Sequence, residues 1–549
     1  MKKIGILCKQ FNNLRNFELR IINEIIKDQD LDLTVLILDE RKKNKKNTVF
    51  KKLKRENKKG KIFSKIVMKI QEIIELQIFN IKTNPINSEK TKILKTIKQI
   101  YVSPETKGNV DFFSKSETDK IREFELDVLL RFEFNIIIGD ILDVSKNGIW
   151  SFHHGDNRYN RGGPSCFWEI MNKEKNIGVT LQKLTQELDG GFVIDRGTYN
   201  KHWSWIKSRQ IVQESSVRLL LKNLNKLKSD NVEYIKSGNY YYELYKFPSL
   251  FISIRYIIYF YSNIIIRIFK RINSKIFDVR YASWTIMISK GSFLNSVLHK
   301  IKKIKLPKNE FWADPFLINY ENQQYIYFEN YEYSKGKGKI SCGKLENEKI
   351  IDIVDVLDKP YHLSYPNVFK FKNDLYMIPE THQNFRLEIY KCTSFPNDWE
   401  LYSTAFEGEQ IVDCNLHQDE LGKLWLFLNK KELNSDGCSD LYIYQIDSLK
   451  LEKIISHQEN PVIINSLSAR NAGPIFKHEN KILRPSQINS EGIYGRGLNI
   501  NQIETLTLNE YKEKTLHKCF PYFDRKLQGI HHLHQFEDCF ATDVCYKKR

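Results

Sequence analysis

The chain has 549 residues, of which 41% are apolar and 28% charged, with 25 Gly and 14 Pro. This composition excludes a disordered or collagen-like chain, and the length calls for more than one domain. The formal net charge of +19 is uneven: Arg41–Lys65 holds 13 Lys and Arg against one acid, Glu56. Such a run reads either as a solvated face or as a surface for RNA, acidic lipid or a phosphorylated ligand.

The nine cysteines form no CxxC pair and no zinc-like spacing. A scattered, odd count predicts reduced thiols in the cytosol and no metal site. The first residues, MKKIGILCKQF, lack the long apolar stretch of a signal peptide and predict a buried strand.

In chain order, Ile4–Cys8 reads as a strand, Phe17–Lys27 as a helix with Leu19, Ile22, Ile25 and Ile26 on one face, and Leu33–Leu38 as a second strand. Short apolar strands between helices predict a parallel α/β sheet. The basic segment interrupts the pattern. Val128–Leu130 and Ile149–Phe152 resume it, the latter leading into His153 and His154. Residues 206–282 carry helical, aromatic patterns and read as a connector. Within it, Arg255 and Arg267 bracket a stretch too short to span a bilayer. The 250–269 segment therefore predicts a buried helix between domains or an interfacial helix. Beyond 283 the texture changes to short strands separated by polar turns, as in Tyr325–Phe328, Leu375–Ile378, Leu387–Tyr390, Leu424–Leu428 and Leu441–Tyr444. A loose repeat links ADPFLINYENQQYIYFEN, YPNVFKFKNDLYMIPET and AGPIFKHENKILRPSQ. A period of roughly 50 residues predicts about five blades of an all-β propeller.

The stretch from Gly148 to Ile194 carries His153 on a loop after a strand, then Arg161-Gly162-Gly163, a Gly178-Val179-Thr180 strand, and Asp189-Gly190. With Asp127–Leu142 upstream, this order resembles the folate-dependent formyltransferases over about 1–205. The resemblance implies a Rossmann-like α/β domain that moves a formyl group from 10-formyltetrahydrofolate to an amine. His153 and Asp189 would then share the proton and the oxyanion. Gly162, Gly163 and Gly190 would let backbone approach the substrate. Two elements depart from the family: Ser151 stands at its Asn position, and Gly155-Asp156-Asn157-Arg158 replaces its Ser-Leu-Leu-Pro segment. Ser151 is a shorter donor. His154 could compensate for it, and Asp156, Asn157 and Arg158 could contact a sugar or phosphate or form a solvated loop.

Phe311–Ile318, FWADPFLI, resembles the first blade of five-bladed sugar-active propellers. HLSYPNVF, YMIPET, SARNAG, LRPSQ and YGRGLNI extend this into a resemblance to the propeller-like domain of plant glucosamine inositolphosphorylceramide transferases over about 283–549. It implies inward-facing carboxylates: Asp314 as the base, with Glu380 and Asp413, and with Arg470, Arg484 and His531 nearby.

The expected architecture is thus multidomain. An α/β Rossmann-like formyltransferase domain (1–205) leads through a helical connector (206–282) to an all-β five-bladed propeller (283–549). The expected activity is formyl transfer to an amine on a nucleotide- or lipid-linked sugar in cell-surface glycan synthesis. The alternatives are a non-catalytic glycan-binding protein on the same scaffold, glycosidase or glycosyltransferase activity in the propeller, and, ranked last, a methionyl-tRNA formyltransferase. The expected partners are an amino sugar or glycan and an anionic membrane surface met through 41–65 and 250–269. Nucleic acid is not expected. The expected location is the cytoplasm, peripheral to the inner membrane face.

Overall fold

The computed structural model describes residues 1–9, 14–41, 61–82, 94–187, 190–432 and 434–549. Most of the basic 41–65 segment and Asp189 lie outside the described residues. The chain divides into two compact units, Met1–Ile265 and Ile266–Arg549.

The first unit is built on an eight-stranded sheet. Its chain order is β1 (Lys2–Cys8), helix α1 (Asn16–Lys27), β2 (Leu31–Asp39), helix α2 (Ile62–Ile78), β3 (Gln99–Val102), β4 (Val128–Arg131), β5 (Ile149–His153), β6 (Asn176–Lys183), β7 (Phe192–Asn200), helix α3 (Trp205–Lys228), β8 (Ile235–Lys236) and helix α4 (Leu250–Ile276), of which Leu250–Ile265 belongs to this unit. Across the sheet the order is β8-β7-β6-β5-β4-β1-β2-β3. β3, β2, β1, β4 and β5 are parallel. β6, β7 and β8 run antiparallel to their neighbours. The sheet is therefore mixed, not parallel throughout as the strand–helix alternation predicts, because β6 and β7 form a hairpin instead of enclosing a crossover helix. The strand centres are apolar and fully buried, including Ile4, Ile6, Leu7, Val35 to Ile37, Leu129 and Ile149. Burial on both faces demands such continuous apolar runs. In α1, Leu19, Ile22 and Ile25 lie on the buried face. Residues 205–228, read from sequence as part of a connector, form α3, which packs on α1, β6 and β7.

The second unit is a succession of five antiparallel sheets. The first pairs Tyr281–Lys290 with the far strand Cys539–Lys548, which also pairs with Leu527–Gly529 and Leu533–Phe536. The second runs Glu310–Tyr320, Gln323–Glu332, Lys337–Glu346 and Lys349–Leu357. The third runs from Ser364–Phe371 to Asp398–Ala405, the fourth from Ile411–Gln418 to Ile454–Ser456, and the fifth from Phe476–His478 to Tyr511–Cys519. Each sheet shares an apolar core with the next. Phe316 and Tyr327 of the second meet Val368 and Met377 of the third. Ile378 and Ile389 of the third meet Leu426 of the fourth. The fifth shares Leu483, Leu498 and Ile500 with Met287 and Phe540 of the first. The first in turn shares Ile286 and Ala541 with Phe328 of the second.

Candidate functional site

In the second unit the opening strands of three sheets break register at one recurring place. Bulges fall between Ala313 and Phe316, between Ser364 and Asn367, and between Val412 and Asn415. At each, one residue adopts a left-handed backbone: Asp314 (φ 51°), Tyr365 (φ 46°) and Asp413 (φ 44°). A bulge bends the strand and re-aims its side chain, and left-handed backbone in a non-glycine residue is tolerated where surrounding structure holds it. Both aspartates end up in one cavity of about 220 Å³, shared with Glu329, Glu380, Arg470, His531 and the rings of Trp284, Phe311 and Tyr331. Asp314, Glu329, Glu380, Asp413, Arg470 and His531 are all between 3% and 8% exposed.

Two hydrogen-bonded chains organise these charges. In one, His531 Nδ1 lies 2.7 Å from Asp543 Oδ1, and its Nε2 lies 3.5 Å from Asp314 Oδ1. Asp543 also accepts the backbone N–H groups of Asp314, His531 and His532. In the other, Arg470 donates from Nε to Asp413 Oδ2 at 2.5 Å and from Nη2 to Glu380 Oε2 at 3.2 Å. His382 Nδ1 sits 2.6 Å from Glu380 Oε1. Gln487 donates to Asp413 at 3.2 Å. His531 is further held by the Trp284 ring, and Gly495 (φ 60°) leaves the space both need, since a Cβ there would lie 2.5 Å from His531 Cβ.

The chains split the proton affinities of the carboxyl groups. Burial works to raise Asp314, but the charges of His531 and His532 outweigh it and hold this carboxyl below the ordinary range. Burial likewise opposes ionisation of Glu380, and His382 and Arg470 overcome it and hold it low. Burial, with the charges of Asp314 and Glu380, pushes Glu329 well up. Asp413 is pushed up by burial and by Glu380 and Asp314 in spite of Arg470. Groups of one type with affinities driven apart can act as acid and base at one pH. Asp314, His531 and Asp543 also place one donor atom each within 4.8 Å of one another, a set that could hold a cation.

The structure thus brings Asp314, Glu380, Asp413, Arg470 and His531 together. It does not bring Arg484, which turns away to pair Glu513 at 2.7 and 2.8 Å while its guanidinium also donates to Ser468 O. Sequence reasoning missed Glu329, Asp543, His362 and His382. Glu329 follows the apolar run Ile326–Phe328 and Asp543 follows Phe540–Thr542. Each lies inside a strand, Gln323–Glu332 and Cys539–Lys548, and an acid within a largely apolar strand was the available signal.

In the first unit the predicted residues are held by one another and by the backbone. Ser151 Oγ accepts from Arg131 Nη1 at 2.9 Å. His153 Nε2 lies 2.7 Å from the Asn160 carbonyl. His154 is half-buried beside Phe17 and Phe152, and desolvation of its ring pushes its pKa down to about 3. Asp156 pairs with Arg158 at 2.6 Å. Asn157 accepts from Arg196 at 3.0 Å, and Arg161 donates to the Asn157 carbonyl at 3.0 Å. Gly162 (φ 97°) pairs with Tyr245, whose carbonyl a Cβ would strike. The backbone N–H of Gly163 donates to that same carbonyl, and the N–H of Gly190 to Glu187. Asp189 is outside the described residues. Nearby, burial raises Glu169 to about 7.

Residues 295–526 match the family model "Glucosamine inositolphosphorylceramide transferase 1, N-terminal". Glucosamine inositolphosphorylceramide transferase 1 of Oryza sativa subsp. japonica is 34% identical over 212 residues, 38% of this chain and 28% of that protein. The matched part therefore spans under a third of the length of that curated relative. Among solved structures, a thermostable family-43 glycoside hydrolase is similar at 14% identity and TM-score 0.34, over 43% of this chain and 88% of that one. An N-formyltransferase from Helicobacter canadensis, solved with folinic acid and dTDP-3-aminofucose, is similar at 14% identity and TM-score 0.29, over 63% of this chain and 100% of that one. Likenesses this remote carry no reaction to this chain.

These findings bear out the resemblance to the glucosamine inositolphosphorylceramide transferases and correct the expected activity. The curated relatives carry the name of a glucosamine inositolphosphorylceramide transferase, not of a formyltransferase. Formyl transfer, the folate-dependent enzyme class and the donor 10-formyltetrahydrofolate are therefore withdrawn. The motif order in Gly148–Ile194 led to them because a strand–loop–strand frame can persist where its polar groups serve other bonds. Ser151, committed to Arg131, is such a case.

Proposed function

We propose that the second unit is a five-bladed propeller that binds a sugar of a glycan or glycolipid in the Asp314–Glu329–Asp413 cavity and acts on its glycosidic linkage by glycosyl transfer. The cyclic order of shared cores, with the fifth sheet meeting the first, supports the propeller. The observation that carries the activity is the split of affinities among carboxyl groups converging on one cavity. In this reading Glu329 holds the proton given to the departing oxygen. Asp314 takes the proton of the incoming hydroxyl as the new bond to the sugar carbon forms. Trp284, Phe311 and Tyr331 supply the apolar faces on which a sugar ring stacks. The cavity sets Asp314, Glu329, Glu380 and Asp413 against a single guanidinium, Arg470. Asp314 and Glu380, the two carboxyls held ionised, could meet the ammonium of an amino sugar, the kind of sugar that the relatives' name specifies.

The test uses the full chain. Saturation-transfer NMR with glucosamine and inositol reads binding, and mass spectrometry reads transfer of glucosamine from a glucosaminyl glycoside to inositolphosphorylceramide. Binding and transfer in the native chain, with transfer alone lost in Asp314→Asn and Glu329→Gln, supports the proposal. Absence of sugar binding overturns it. Binding without transfer supports a second reading, a sugar-binding module, which the Arg470 clamp on Asp413 and Glu380 favours.

A further inference from the structure

Helix α2 is inside out. Its buried positions Ser64, Gln71 and Glu75 are polar, and only Met68 among its buried residues is apolar. Its exposed positions Phe63, Ile66, Ile70 and Ile73 are apolar, and each is 45% to 68% exposed. They recur at intervals of three and four, so they form one stripe along the helix. The polar side is satisfied inside the unit. Ser64 Oγ donates to the Pro248 carbonyl at 2.6 Å and lies 2.8 Å from Ser253 Oγ. Glu75 accepts from Tyr256 at 2.7 Å, from Gln71 at 3.0 Å and from the Ile206 N–H at 3.1 Å.

Helix α4, which these bonds fasten to α2, repeats the arrangement. Ser253, Tyr256 and Phe260 face inward. Phe251, Ile254, Ile258 and Ile265 face outward, the first 74% exposed. At 27 residues the helix is long and apolar enough to cross a bilayer, unlike the short stretch expected from sequence, but with Ser253, Tyr256 and Phe260 packed on protein it is suited to lie along one. Exposed apolar stripes on two adjacent helices mark an interaction surface.

The charge of these helices says what covers them. No Asp or Glu occurs from Leu250 to Ile265, the part of α4 within the first unit, which carries Arg255. On α2 and its N-terminal flank stand Lys61, Lys65 and Lys69. Its two acids are engaged, Glu75 inside and Glu72 with Lys69 and Arg209. A second copy of the chain would set cations against cations. An anionic bilayer surface meets both the apolar stripes and the basic rim. We infer that α2 and α4 form a membrane-docking face that inserts Phe63, Ile66, Ile70, Phe251 and Ile258 among the headgroups of acidic phospholipid, independently of what the second unit binds.

The experiment is co-sedimentation of the full chain with vesicles of phosphatidylcholine alone and of phosphatidylcholine with phosphatidylglycerol. The expected result is binding to the acidic vesicles that weakens with added salt and falls about tenfold or more in Ile70→Glu/Ile258→Glu. Circular dichroism of that variant should match the native chain, since both positions are exposed. Lys65→Gln/Arg255→Gln should lose preference for acidic over neutral vesicles. The inference is overturned by no binding to acidic vesicles, by binding that the double variant retains, or by equal binding to both vesicle types. It is also overturned if the native chain forms a dimer in vesicle-free buffer that Ile70→Glu/Ile258→Glu abolishes.

Discussion

The indole of Trp284 lies on the imidazole of His531 with ring centroids 3.8 Å apart and planes 21° from parallel. Trp284 comes from the unit's first strand and His531 from just before the hairpin that precedes its last. The stack fixes the imidazole between two acids, Asp543 on Nδ1 and Asp314 on Nε2. The pairing of distant strands therefore determines where the charge that governs Asp314 resides.

Asp543→Ala should be among the most damaging substitutions in the second unit. It leaves three buried N–H groups and the His531 ring without their acceptor. Removing one member of a buried charged set costs about 3–5 kcal/mol. Urea unfolding monitored by tryptophan fluorescence measures this. A loss below about 1 kcal/mol would show that the aspartate is not holding these groups.

The two buried arginines should separate by assay. Arg484→Ala should lower stability by about 3–5 kcal/mol through loss of its Glu513 pair, with the sugar affinity of the folded fraction unchanged. Arg470→Ala should weaken sugar binding, since Asp413 and Glu380 lose their shared cation. Calorimetric titration beside unfolding curves makes the comparison. Equal loss of affinity in both variants would contradict the placement of Arg484.

The held-down carboxyls set the acid limit of the second unit. A depressed pKa gives stability that is fully present above the ordinary values, 3.8 for Asp314 and 4.5 for Glu380. That stability is lost as pH falls through the folded-state values. Glu329 runs the other way: its raised affinity gives stability below 4.5 that is lost as pH rises through its folded value. Transfer activity should follow the same groups, falling on the alkaline side as Glu329 gives up its proton. A native profile with no alkaline limb would contradict this role for Glu329.

Glu169 offers a separate pH probe in the first unit. Burial raises it from 4.5 to about 7, so the stability tied to its protonated form is present below 4.5 and lost as pH rises to about 7. Above pH 7, Glu169→Gln should exceed the native chain by about 3 kcal/mol, the linkage value of such a shift. The two chains should converge at pH 4. Thermal melts across this range test it, and parallel melting curves would count against the shift.

At the seam of α2 and α4, Glu75→Ala should cost about 3 kcal/mol. The carboxylate is fully buried and accepts hydrogen bonds from Gln71, Ser204, Ile206 and Tyr256. Hydrogen exchange should quicken along Ile62–Ile78 before the sheet strands are affected. Unchanged exchange there would mean that the carboxylate does not anchor the helix.

Local pattern carried much of this architecture. The apolar runs at Ile4–Cys8, Leu33–Leu38 and Leu424–Leu428 each became a strand because burial on both faces requires such runs. Asp314 was legible because it sits beside an apolar strand segment in a repeated turn motif, and the bulge geometry turns it and Asp413 into one cavity. Glu329 and Asp543 were passed over although each lies inside a largely apolar strand, because the strand pattern alone does not say which way packing turns such an acid. His153 shows how a local motif and the observed contacts combine. Its neighbours fit a catalytic frame, but the Asn160 carbonyl, seven residues on, engages its ring. The inverted polarity of α2 escaped notice because a helix of alternating apolar and polar positions reads the same whichever side is buried.

The strand Tyr281–Lys290 finds its partner only in Cys539–Lys548, at the far end of the same unit. Until the second of these has been synthesised, the first has an unpaired edge, and Asp314 has neither His531 nor Asp543 beside it. The middle three sheets can form in the order of synthesis from local hairpins, whereas the cavity needs the slowest kind of contact, one that closes a very long loop. The polar centre of the unit is therefore the last thing to be assembled. A newly made chain can carry four of this unit's five sheets while the acids of the cavity still lack His531 and Asp543, until its final hairpin docks.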